Sequence, residues 1–274
     1  MDRLRNDIAR RWWDLDRFGL TPRKLKARLS SSEIPGIVCN SVPKAGTHLI
    51  ERALCLHPDL YRKIKPTLRR RNMPTPSGLA SMMGGLKPGQ VLLTHLPHSQ
   101  EAAAAIDRTS VRHLLMVRDP RDIIVSQAHY IPKNSKHAHH ELLSSLPDLT
   151  ARMRMMITGN EATGLVGIRD RLQQYAGWFD TDAAVFRFED LVGARGGGGI
   201  EEQVGRLTDI YNSVGISMQR DEVASLAGKL FSEASPTFRS GSIGQWSEQF
   251  DAETADLFNQ AAGEMLSLYG YVQA

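Results

Sequence analysis

The sequence predicts an α/β fold: a single domain with a central parallel β-sheet flanked by helices. Short apolar runs at Gly36–Cys39, Val91–Thr94 and Val111–Val117 read as buried strands. The second and third run into His95 and Arg118, and the first opens into a loop that carries Lys44, so charged or titratable groups collect at strand carboxyl ends, where open parallel sheets bind ligands. A chain of 274 residues that is 41% hydrophobic and 23% charged has the length and composition of one α/β domain with a sizeable core.

Residues 1–35 form an N-terminal unit and 36–270 the core. Leu4, Ile8, Trp12, Leu15 and Phe18 recur at helical spacing, which predicts an amphipathic helix over 2–18 that covers one side of the sheet. Thr21 to Pro35 is expected to be a connector. After the first strand, the stretch Asn40 to His48 is a tight loop, and Leu49 to Leu54 a helix that should end near His57-Pro58, since proline disfavours helical geometry in the residue before it. Tyr61 to Gly89 shows no periodicity and carries Arg62, Lys63, Lys65, Arg69, Arg70 and Arg71, read as solvated surface or, less favoured, as an anion-steering or acceptor loop. Arg121 to Tyr130 is a helix with Pro120 at its first turn. One further helix is expected within 142–157, a strand over Ala183–Phe188, a tight glycine loop at 196–199, helices at 200–214, 219–231 and 251–269, and an irregular stretch from Ser232 to Gln249.

The formal charge of +4 suits an anionic ligand and is too small to indicate nucleic acid. No apolar run approaches a membrane span, the first residues lack the apolar core of a secretory signal, and Cys39 and Cys55 make no disulfide framework, so a cytoplasmic protein is expected.

The loop Pro43-Lys44-Ala45-Gly46-Thr47-His48 joins a strand to a helix N-terminus. Unsatisfied N–H groups, the helix dipole and Lys44 together make an anion site there. The lysine precedes the glycine, the reverse of the nucleotide-kinase loop. This order resembles the 5′-phosphosulfate loop of sulfotransferases that use 3′-phosphoadenosine 5′-phosphosulfate (PAPS) and release 3′-phosphoadenosine 5′-phosphate (PAP). Arg118 through Ser126 resembles that family's 3′-phosphate segment, in which an arginine and a serine eight residues apart hold the donor. Phe238 to Trp246 is similar to its Arg-Lys-Gly-x-x-Gly-x-Trp closing segment, with Arg239 and Gly241 matching and Ser240 in place of lysine. Thr94-His95-Leu96-Pro97 matches the tetrapeptide whose histidine is the general base, and Phe231 lies near the adenine-stacking position.

The resemblance implies a P-loop-like sulfotransferase fold and transfer of a sulfuryl group to a hydroxyl or amine of a small-molecule acceptor. His95 and Lys44 would be catalytic; Lys44, Ala45, Gly46, Thr47, His48, Arg118, Ser126, Phe231, Arg239, Ser240 and Gly241 would bind the donor, and no metal is required. Glu51 and His48 stand next in line as bases. A P-loop kinase and a catalytically inactive nucleotide-binding protein are the alternatives. The chain departs from the family at Ala45, His48 and Leu49, where the aromatic face for adenine is missing, at Leu93, and in having no dimer segment. No nucleic-acid partner is expected.

Overall fold

The computed structural model describes residues 2–29, 33–64, 66–230 and 241–272. Its centre is a five-stranded parallel sheet of order β2-β3-β1-β4-β5, made of β1 (Ile37–Ser41), β2 (Tyr61–Arg62), β3 (Gln90–Thr94), β4 (Arg112–Val117) and β5 (Ala184–Arg187). All five β1 residues are buried. That burial explains the apolar run Ile37–Cys39, since a central parallel strand is covered on both faces; the buried polar Asn40 and Ser41 that end the strand are hydrogen-bonded instead.

Alternate residues feed two cores. Val38, Leu115 and Val117 face one, with α4 (Pro76–Gly84), α5 (Gln100–Asp107), α6 (Pro120–Tyr130), α7 (His140–Ser144), α8 (Leu149–Thr158), α9 (Ile168–Ala176) and α14 (Ala252–Leu268). Cys39, Leu93 and Met116 face the other, with α3 (Thr47–Cys55), α10 (Phe188–Leu191), α11 (Ile200–Ser213) and α12 (Arg220–Ala227). The short α13 (Trp246–Gln249) packs beside α6. The expected amphipathic helix is α1 (Asp2–Arg17), and it lies against α3 and β2 at the sheet's edge.

Several expectations are corrected. The supposed connector contains α2 (Pro22–Leu29), begun by proline at its first position. It is docked by buried Lys24, which donates to the carbonyls of Leu60 (2.6 Å) and Cys55. The single helix over 142–157 is two, because Pro147 stops α7 and the Asp148 side chain caps α8 by accepting from Ala151 N–H at 2.8 Å. Helix α12 stops at Ala227, short of the expected 231, and α13 interrupts the irregular stretch. Helices α4, α5 and α9 and strand β2 have no counterpart in the periodicity. Helix α5 is short and alanine-rich, so its buried Ala102, Ala105 and Ile106 make too weak a stripe; its Ser99 cap, which accepts from Ala102 N–H, was the available signal.

Candidate functional site

Strand order builds the site. With β1 between β3 and β4, the loop after β1, His95 after β3 and Arg118 after β4 emerge side by side at one edge of the sheet. They open on a cavity of about 1350 Å³ that is also lined by Gly46, Thr47, His48, Ser126, Tyr130 and Gly241.

The loop conformation is held at two points. Gly46 has φ +103°, and a Cβ there would stand 2.7 Å from the Phe188 ring and 3.0 Å from Met116 Cε, so only glycine fits. Lys44 is the sole non-glycine residue of positive φ (+74°) among the described residues, a sparsely populated conformation that recurs at functional sites. Its Nζ stands 3.9 Å from the Tyr130 ring centroid. The first helical bonds run from Leu49 and Ile50 N–H to the Gly46 carbonyl, so the Thr47 and His48 N–H groups lie ahead of the hydrogen-bond ladder and head the helix dipole. Ala45 is different. Its methyl is buried in the core and its N–H donates to the Val42 carbonyl at 3.0 Å, which withdraws it from the groups facing the cavity.

His95 is positioned by β1. Its Nδ1 is 2.8 Å from the Ser41 carbonyl and 3.2 Å from Ser41 Oγ, which also meets Thr47 Oγ1 at 2.7 Å. A carbonyl only accepts, so the neutral ring carries its proton on Nδ1 and its lone pair on Nε2. Burial lowers the His95 pKa to about 4, reinforced by Arg69, His48 and Lys44 and opposed by the Ser41 hydrogen bond. Buried Asn40 fixes the same turn: its side-chain oxygen accepts from Thr94 Oγ1 and Leu96 N–H, and its Nδ2 donates to the Leu96 carbonyl.

Glu51 is occupied elsewhere. It is 1% exposed and accepts from Arg17 (2.8 Å) and Arg62 (2.9 Å), with His48 Nδ1 at 3.0 Å. Burial would raise its pKa, but the His48 hydrogen bond and the two arginines outweigh it and hold the carboxyl at about 2. Neither Glu51 nor the His48 nitrogen facing it is placed to act as the base.

Arg118 is buried against Phe188, 4.2 Å from the ring, and its Nη2 donates to Asp122 Oδ2 (3.2 Å) and the Ser242 carbonyl (2.8 Å). Its buried Nε has no hydrogen-bond partner among the described residues. Ser126, two turns along α6, lines the cavity with it. Asp122 also accepts from the N–H groups of Gly244 (2.9 Å) and Trp246 (3.1 Å), while Arg121 lies 3.7 Å over the Trp246 ring. A strap over 241–246 is thereby clamped to α6. The glycine loop supports its other side: Ile243 N–H donates to the Gly196 carbonyl, and a Cβ on Gly196 would stand 2.3 Å from the Gly241 carbonyl. Phe231, Arg239 and Ser240 lie outside the described residues.

Sequence reasoning missed Ser41, Asn40, Tyr130 and Asp122. Nothing in their local pattern marks these roles: Ser41 and Asn40 act on partners 54 or more residues away, Asp122 adds the distant Gly244 and Trp246 N–H groups to its bond with nearby Arg118, and Tyr130 meets a loop from another strand. Trp13 was likewise seen only as part of a helix. It lines the cavity beside Leu49 and Leu226, with Arg52 4.4 Å over its ring.

No protein-family model and no curated protein matches the chain. Among solved structures it is similar to mouse sulfotransferase SULT7A1 complexed with PAP, with a TM-score of 0.61 and 18% identity over 93% of this chain and 95% of that one. Retinol dehydratase in complex with androsterone and inactive cofactor PAP matches with a TM-score of 0.56 and 14% identity, over 88% and 84% of the two chains. The same enzyme with retinol and PAP gives 0.54 and 15%, over 88% and 85%. The chain therefore has the α/β fold of these proteins, from nearly end to end.

Proposed function

We propose that the protein is a PAPS-dependent sulfotransferase that acts on a hydroxyl or amine of a small-molecule acceptor. The observation that carries this reading is the convergence of Lys44, His95 and Arg118 from three adjacent parallel strand ends on one cavity. Two features fit a donor with phosphates at both ends. The Thr47 and His48 amides with Lys44 offer one anion site, and the orphan Nε of Arg118 with the Ser126 hydroxyl offers a second. Trp13 supplies the apolar face that Leu49 does not, and adenine would lie against it.

His95 Nε2 accepts the proton of the acceptor nucleophile, which forms its new bond to sulfur in line with the bond to the leaving bridge oxygen. That oxygen departs with the electron pair of the broken bond, and PAP is released. Lys44 and the loop amides stabilise the charge that grows there, which preorganised donors do without reorganisation. Ser41 keeps the imidazole in the tautomer the step requires. Arg118 and Ser126 select a donor with a 3′-phosphate over ADP.

Calorimetry with PAP and ADP tests the reading. Charge-assisted hydrogen bonds contribute about 1.5 to 3 kcal/mol each, so PAP should bind about ten-fold or more tighter than ADP. Equal affinities, or tighter ADP binding in the presence of magnesium, would return the site to a nucleotide kinase.

A further inference from the structure

The cavity is cationic on the side away from the donor groups, and the sheet order separates the two sides. Lys44 and Arg118 lie just after β1 and β4. Beyond β3, Leu68 bridges Thr94 and its carbonyl accepts the His95 N–H at 2.7 Å, so the segment that follows runs beside the proposed base. Asn72 ties that segment into a turn, accepting from Arg69 N–H (2.6 Å) and donating to the Thr67 carbonyl (3.3 Å). Arg69 and Arg71 are thus presented to the cavity. Lys136, His137 and His139 line it from the chain after α6, where Asn134 Nδ2 is anchored to Tyr130 Oη at 2.9 Å. Arg171 on α9 completes the wall, braced by the Val166 carbonyl (2.8 Å) and by Gln127.

Among the described residues the wall has no counter-charge. The carboxylates that line the cavity are Asp14, Asp16 and Glu51, all on α1 and α3, and each is engaged by Arg17, by Thr21 and Arg23, or by Arg17 and Arg62. Among the described residues no carboxylate pairs with Arg69, Arg71, Lys136 or Arg171. Burial, followed by His139, Arg171, Arg69 and Arg71, lowers the pKa of His137 to about 4, and every charged group named there is cationic. Four permanent cations gathered without a carboxylate repel one another, an arrangement that an anionic ligand relieves.

We propose that the acceptor carries an anionic group, a carboxylate or a phosphate or sulfate ester, that is held by Arg69, Arg71 and Arg171 while its hydroxyl or amine is presented to His95. This rests on the sulfotransferase reading and narrows it to acidic acceptors. The apolar remainder of the wall, Leu165, Val166 and Tyr175, leaves room for the body of the acceptor.

The test uses the full chain saturated with PAP, so that the donor site is filled and its occupancy is itself measured. Calorimetry then compares 4-hydroxyphenylacetate with its amide, and glucose 6-phosphate with glucose; the two pairs separate carboxylate from phosphate recognition. The anionic member of at least one pair should bind about ten-fold or more tighter, and should be the better acceptor of labelled sulfate from PAPS. Arg69→Ser combined with Arg71→Ser, both exposed positions, should erase the preference and leave PAP affinity within about two-fold, as expected for groups outside the donor site. The proposal is overturned if neither anionic probe binds better than its neutral partner, if no anionic probe binds at millimolar concentration, or if the double variant keeps the preference. Failure of PAP itself to bind would instead remove the sulfotransferase reading on which the proposal stands.

Discussion

Protonation of His95 can be followed directly, and the structure sets its size. The ring is desolvated and faces Arg69, His48 and Lys44, which lowers its pKa from 6.5 to about 4. The folded protein therefore disfavours imidazolium, while the unfolded chain binds the proton from pH 6.5 downward. Stability from this group is fully present above pH 6.5 and is lost as pH falls toward 4; between pH 7 and pH 5 the loss is about 2 kcal/mol, and it approaches about 3 kcal/mol below the folded pKa. His113 and His137, also lowered to about 4 by burial, act in the same direction. The contribution of His95 is isolated by urea unfolding of wild type and His95→Gln at both pH values: the variant should lose about 2 kcal/mol less on acidification. NMR titration of the ring protons reads the same quantity at the site, and bound PAP should raise the pKa because its phosphates favour the imidazolium. A His95 pKa of 6 or above in the free protein, or equal acid sensitivity of wild type and variant, would refute the argument.

Other expectations follow from the same geometry. His95→Ala should lower turnover by about 10² to 10⁴ with PAP affinity nearly unchanged, measured as labelled sulfate transfer beside calorimetry. Lys44→Ala should fall mainly in kcat, because the charge it meets grows only as the bridge breaks, whereas Arg118→Ala should appear mainly as a raised donor KM; a Lys44→Ala enzyme with unchanged kcat would contradict the assignment. Gly46→Ala forces a Cβ to 2.7 Å from Phe188 at φ +103°, and should destabilise the protein by about 2 to 4 kcal/mol in urea unfolding. Asp122→Asn weakens the clamp on Gly244, Trp246 and Arg118, and should loosen PAP binding and speed proteolysis at the strap by about ten-fold, with α6 retained in circular dichroism.

What the sequence could determine was local. The three central strands announce themselves because a parallel strand covered on both faces carries a run of consecutive apolar residues, and Lys44-Ala45-Gly46, Thr94-His95 and Arg118 to Ser126 each place reactive groups within one strand–loop or strand–helix turn. The helix with Pro120 at its start and the one capped by Asp251 were legible for the same reason: caps and periodicity act over a few residues. The tertiary structure decided everything that depends on a partner far along the chain. Placing β1 between β3 and β4 brings the three motifs to one edge, and no residue within a motif encodes that neighbourhood. Ser41 sets the tautomer of His95 across 54 positions. Glu51 is an available carboxylate in sequence and a spent one in the fold, because Arg17 and Arg62 reach it from α1 and β2. Arg62 and Arg69 read alike in a run of basic residues, yet one neutralises a buried acid and the other faces the cavity beside the base. Charge is visible in a sequence, but its counter-charge and its exposure are properties of packing.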